Sequence, residues 1–133
     1  MGYRGVDAES VDPEPDRPCE CRKLAGPAGL TAVALNRFRA EPGEQIPLAY
    51  HSHETQEEAF YVLSGTLAVE TPDQTYAVAA GELFAVDPGS PQRAHNPASA
   101  DEPVELLAVG APPVDGHAAP HETTTPDPGG TDA

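Results

Sequence analysis

From about residue 30 onward, short apolar runs alternate with clusters of turn residues. The runs are LTAVALNRFR (30–39), 46–52, EAFYVLS (58–64), TLAVE (66–70), TYAVA (75–79), LFAV (83–86), 92–95 and VELLAV (104–109). Between them stand EPGE, SG, TPDQ, AAGE, DPGSP and NPASADEP, whose Gly, Pro, Asn and Asp favour turn conformations. No stretch shows a convincing helical period. Many short strands, spaced roughly every 8 to 12 residues, predict an all-β sandwich or barrel.

Side chains alternate along a strand, so Glu58, Phe60 and Val62 share one face of the 58–64 run. Ala59, Tyr61 and Leu63 share the other, and that face is apolar too. A strand with two apolar faces needs a second layer outside the barrel. The N-terminal segment or a partner subunit can supply it, and a homodimer is the expected answer.

The ends of the chain read differently. Residues 1–23 are acidic and proline-rich, and are expected as a polar segment that can add a strand to the barrel of 24–111. Residues 112–133 have no apolar periodicity and are expected to be a disordered tail, because they cannot bury enough surface to offset ordering. His117 and His121 fall in that tail and read as solvated. The whole length, 133 residues, suits one domain.

Charge narrows the partners. Twenty-two Asp and Glu oppose seven Lys and Arg, a formal net charge of -15, and Lys23 is the single lysine. Such a field repels nucleic acid and anionic membranes, since binding either requires basic groups against phosphates. Neither is therefore expected as a partner. Excess carboxylate with almost no lysine also suits a salty cytoplasm, where ions screen the self-repulsion. No apolar run is long enough for a membrane helix, and the N-terminus lacks the layout of a secretion signal, so cytoplasmic residence is expected.

Cys19 and Cys21 flank Glu20. They lack the second pair of a four-thiolate zinc site, and a disulfide across so short a loop would be strained. They read as reduced thiols on an N-terminal strand.

The chemistry concentrates between Gly43 and Gly65. His51 and His53 are two apart, so on a strand their imidazoles leave the same face. Glu58 opens the next strand after a four-residue connection, on the face of Phe60 and Val62. If that face is the interior, two imidazoles and a carboxylate converge as a facial set. Such a set holds Fe, Mn, Co, Ni or Zn and leaves coordination positions open. A purely structural zinc site would more often be closed with thiolates. The competing reading is a solvated turn whose histidines and glutamates are unconnected.

Here the sequence resembles the cupin family. That family's first motif is Gly, a spacer, His-x-His, three or four residues, Glu, six residues, Gly. Gly43, His51, His53, Glu58 and Gly65 follow it, with a spacer of seven residues after Gly43, slightly longer than usual. The second motif is Gly, five residues, Pro-x-Gly, two residues, His, three residues, Asn. Gly81, Gly89 and Asn96 match, while Asp87 replaces the usual proline and Gln92 the usual histidine.

The resemblance implies a double-stranded β-helix (jelly-roll) barrel, usually dimeric, with metal held at one end of the interior. It assigns His51, His53 and Glu58 as ligands and places Gln92 at the fourth corner. A neutral amide is a weaker donor than imidazole, so three strong ligands and one weak or absent one are expected. His95, three residues on, has the opposite strand parity unless a bulge follows Pro91. Glu57 reads as outward-facing. Gly65, Gly81 and Gly89 read as turn residues.

Inward with the ligands stand Ala49, Phe60, Val62, Ala94 and Tyr76, an apolar wall suited to an aromatic or carbonyl-bearing small molecule. A phosphorylated ligand would call for Arg or Lys. Arg93 has outward parity, while Arg37 and Arg39 share a face whose direction the sequence leaves open. Three readings follow: a metal-binding cupin that takes a small molecule; a metal-dependent enzyme, dioxygenase-like before sugar isomerase; and a metal-free binding module in which Gln92 marks loss of the site.

Overall fold

A computed structural model describes residues 2–46 and 51–113, together with the backbone of 118–120; the side chains of His51 and Ser52 lie outside the described residues. Among the described residues ten strands dominate: β1 (Glu20–Lys23), β2 (Ala34–Ala40), β3 (His51–His53), β4 (Glu57–Ser64), β5 (Thr66–Glu70), β6 (Thr75–Ala79), β7 (Leu83–Val86), β8 (Arg93–His95), β9 (Val104–Ala111) and β10 (Ala118–Pro120). One turn of 3-10 helix (Ala8–Ser10) and a four-residue helix (Ala25–Ala28) are the described helical elements.

The strands form an antiparallel five-stranded sheet, β1-β2-β9-β4-β7, a three-stranded sheet, β6-β5-β8, and a pair, β10-β3. Sequence reading and structure agree closely from β4 to β7. They diverge upstream, where β2 starts at Ala34 rather than at 30; of the 46–52 run, 47–50 lie outside the described residues and His51–His53 forms β3.

Alternation sets the core. In β9 Val104, Leu106, Ala108 and Gly110 are buried, and across the sheet they meet Ala40, Phe38, Asn36 and Ala34 of β2. On the other side Leu106, Ala108 and Gly110 meet Val62, Phe60 and Glu58 of β4. Leu67, Val69, Val78 and Ala94 close the interior from the smaller sheet. Two apolar faces are thereby removed from water, which is what makes a jelly-roll sandwich stable.

Two local devices hold this arrangement. Gly65 turns β4 into β5 at φ 76°, and an added Cβ there would lie 2.5 Å from the Pro103 carbonyl oxygen, so only glycine fits. Gly81 and Gly89 likewise take positive φ. Asn96, almost fully buried, donates from its Nδ2 to the carbonyls of Ala40 (3.0 Å) and Glu102 (2.9 Å), joining the turn after β8 to β2.

The N-terminal segment adds β1 to the edge of β2, and among the described residues Tyr61 and Leu63 on the outer face of β4 are left exposed. Cys19 and Cys21 are free thiols buried in the core cluster, and burial, then the neighbouring Cys21, pushes the Cys19 thiol up to about 12. Within the segment expected to be a disordered tail, Ala118–Pro120 pairs with β3. Strand pairing uses backbone groups, so no apolar pattern announces it. His117 and His121 lie outside the described residues, as does Ala49.

Candidate metal centre

The site grows from the Glu58 row of the large sheet. Ala34, Gly110, Glu58 and Val86 stand side by side across β2, β9, β4 and β7. Glu58 is the one carboxylate of that row, and its inward direction follows from strand alternation with Phe60 and Val62. β3 brings His53 over it: Nε2 lies 3.8 Å from Glu58 Oε1. From the opposite sheet Gln92, immediately before β8, points inward with Ala94 and Asn96, and its Nε2 donates to the same Glu58 oxygen at 3.4 Å.

Three of the four residues anticipated from the sequence thus converge. The fourth, His51, sits on β3 two residues before His53, and its side chain is outside the described residues. Among the described residues no three His, Cys, Asp or Glu side chains gather into a metal-holding group.

The residues fit a divalent cation by one observation. Gln92 Oε1 is buried and has no hydrogen-bond partner among the described residues. A buried acceptor without a partner is costly, whereas a cation beside Glu58 would satisfy both. The oxygen faces such a cation only after half a turn of the amide, which exchanges Oε1 for Nε2 and replaces the Nε2 hydrogen bond to Glu58.

Gln56 is a further polar group near the site that sequence reading passed over. It is buried, its Nε2 donates to the Pro112 carbonyl at 3.0 Å, and its amide fills the place where a Gly110 side chain would start. Gly110 was the available signal, since glycine inside a strand often marks a close approach.

The remaining candidates point elsewhere. His95 lies on the outer face, opposite Ala68 of β5, with its ring nitrogen Nδ1 buried; burial, then the Arg93 charge, lowers its pKa. Arg93 pairs with Glu70 at 3.0 Å and donates to Gln45 at 3.0 Å. Arg37 and Arg39 also face outward, both held by Glu105. Glu57 is exposed. Arg37, Arg39 and Arg93 thus all face outward, while Arg17, from the segment before β1, lies over the inward-facing Phe38 ring at 5.7 Å.

The inner wall beyond the Glu58 row is Asn36, Ala108, Phe60 and Phe84, with Tyr76 packed on Phe84 at 5.0 Å between ring centres. Tyr76 is 39% exposed and sits at the mouth rather than deep inside.

Solved structures share this architecture. A polyketide cyclase from Streptomyces resistomycificus is 24% identical with a TM-score of 0.77, covering 96% of this chain and 90% of its own. A cupin-superfamily sugar phosphate isomerase from Silicibacter pomeroyi is 22% identical with a TM-score of 0.70, covering 81% and 75%. A predicted oxalate decarboxylase from Thermotoga maritima is 21% identical with a TM-score of 0.69, covering 81% and 98%. These likenesses establish the fold. No curated protein sequence matches the chain. The sequence pattern of the cupin domain matches residues 36–110, more than half of the chain and the stretch that builds the barrel wall and the site: the protein belongs to the cupin family.

Proposed function

We propose that this chain is a small cupin that holds one divalent transition metal, Fe, Mn, Co, Ni or Zn, and a small organic molecule beside it. His51, His53 and Glu58 would hold the metal, with Gln92 as a weak fourth ligand. The observation that supports this reading is the convergence of His53 and Gln92 on one Glu58 oxygen, beside a buried Gln92 oxygen that has no hydrogen-bond partner among the described residues. When bound, such a metal supplies Lewis acidity or redox capacity at an open coordination position. The chain's own part is to orient the ligands, to exclude water with Phe60, Phe84 and Val86, and to offer a largely uncharged wall.

That wall favours an aromatic or carbonyl-bearing molecule over a phosphosugar, because the barrel arginines are turned outward and engaged. Among the similar structures, a polyketide cyclase is closer in chemistry to this wall than a sugar phosphate isomerase. Dioxygenase-like chemistry is the alternative if the protein turns over its ligand. The test is metal analysis of protein purified without chelator, in high salt. About one first-row metal per chain, lost in His51→Ala and Glu58→Gln, supports the proposal. No metal before or after adding Fe(II), Mn(II), Ni(II) or Zn(II) would overturn it and leave a metal-free binding module.

We further propose a homodimer through the outer face of the large sheet. Tyr61, Leu63, Leu83 and Val109 are 42%, 43%, 65% and 37% exposed there. Beside them Arg37 and Arg39 share Glu105, so this face of a strongly acidic chain is close to neutral and can meet its own copy. The net charge of -15 supports residence in a salty cytoplasm.

A further inference from the structure

The inward residues of β9 run Val104, Leu106, Ala108 and then Gly110, so Glu58 has a glycine as its cross-strand neighbour. Directly opposed residues of an antiparallel pair stand about 5 Å apart at Cβ, and their side chains normally pack on one another. Gly110 has no side chain to offer. Nor does the backbone require glycine there, since Gly110 is not among the glycines at positive φ.

The place is filled from Gln56, two residues before Glu58. Its buried amide puts Nε2 2.6 Å, Cδ 2.7 Å and Oε1 3.2 Å from where a Gly110 Cβ would stand. Nε2 also donates to the Pro112 carbonyl at 3.0 Å, which holds the amide over the end of β9. Gln92, from the opposite sheet, and His53, on β3, both reach Glu58 Oε1, at 3.4 Å and 3.8 Å. A glutamate side chain has several staggered rotamers, and a bare glycine across the sheet would open those that lean over β9. The Gln56 amide closes them.

We propose that Gln56 is a positioning residue for Glu58. Clipped to Pro112, its amide takes the place of a side chain at Gly110 and keeps the carboxylate turned toward His53 and Gln92. This rests on the metal reading of the site. Outer partners that fix a ligand's direction contribute about tenfold to a hundredfold in metal affinity.

The test compares wild type, Gln56→Ala and the double variant Gln56→Ala/Gly110→Ala in the full chain; Gln56→Ser replaces Gln56→Ala if that variant does not fold. Zn(II) affinity is read by competition with a chromogenic chelator. Gln56→Ala should weaken it by about tenfold or more. Adding Gly110→Ala should recover most of the loss, because the new methyl stands within 3.2 Å of all three amide atoms it replaces. A role in stability alone predicts no recovery. In the metal-free chain, the Gln92 carboxamide N–H resonances report the hydrogen bond to Glu58. They should move in Gln56→Ala and return in the double variant.

Resonances that ignore Gln56 overturn the proposal. In a chain that binds Zn(II), so does an unchanged affinity in Gln56→Ala, or a loss that Gly110→Ala does not recover. A wild type that takes up no Zn(II), with resonances that still follow both substitutions, refutes the metal reading and leaves the positioning of Glu58 standing.

Discussion

Gln92 donates its amide N–H to Glu58 Oε1 at 3.4 Å, while its own Oε1 is buried without a hydrogen-bond partner among the described residues. The Gln92 amide is thus half-satisfied among the described residues. An imidazole at position 92 would offer a stronger donor to a first-row metal than an amide oxygen does. Gln92→His is expected to tighten Zn(II) or Ni(II) binding by tenfold or more, a scale of roughly 1.4 kcal/mol or above. Competition against a chromogenic chelator checks it, and unchanged affinity would separate residue 92 from the metal.

Gly110 and Gly65 tolerate a methyl group very differently. At Gly110 an alanine Cβ would lie 2.6 Å from Gln56 Nε2, the far end of a flexible side chain. The chain can yield there, losing the Gln56 bond to Pro112, so Gly110→Ala should cost about 1 kcal/mol. At Gly65 the obstacle is the Pro103 backbone at 2.5 Å, with φ at 76° besides. Gly65→Ala should cost at least about 2 kcal/mol. Denaturant melts of both variants give the comparison directly.

The exposed apolar residues of the outer sheet face predict a solution property. Leu83→Asp, at the most exposed of them, should convert a dimer to monomer, read as a halved mass by light scattering. A wild type that is monomeric at all concentrations would contradict the proposed assembly.

Glu105 binds both Arg37 and Arg39, and the hydrogen bond from Arg37 in particular holds its carboxyl below the usual carboxylate range. A depressed carboxylate pKa contributes stability that is present above the unfolded value and lost as pH falls through the folded one. Glu105→Gln should therefore destabilise by up to about 1 kcal/mol at pH 7 in low salt. The difference from wild type should shrink in high salt and vanish once pH drops below the depressed value. Melting curves from pH 7 to pH 2 follow it.

His95 behaves in the same direction for a different reason. Burial, then the Arg93 charge, disfavours its protonated form in the fold. The unfolded chain consequently binds the proton first as pH falls past about 6.5, and stability declines below that point. His95→Gln should remove part of the fall in Tm between pH 7 and pH 5. An identical fall in the variant would assign it to other groups.

How much of this was legible in the sequence depends on which physical signal each feature leaves. Strands β4 to β7 were readable because alternation and turn residues agree over five-residue spans. His53 and Glu58 could be anticipated from strand alternation, whereas Gln92 entered only through the resemblance, at the position where the second motif usually has histidine. Gln56 was not readable, since its role depends on the absence of a side chain at Gly110, fifty-four positions away. Nor was β10, whose pairing with β3 is made through backbone groups that leave no apolar pattern. The direction of Arg37 and Arg39 needed the partner Glu105, which no local pattern connects to them.

The two cysteines have a use that concerns neither metal nor ligand. Both are enclosed by the core, and the Cys19 thiol is pushed up to about 12, so almost none of it is thiolate at neutral pH. Alkylation by iodoacetamide therefore waits for β1 to lift away from β2. Its rate is a built-in clock for that opening, and comparing it with the rate of global unfolding shows whether the N-terminal edge of the barrel breathes independently of the rest.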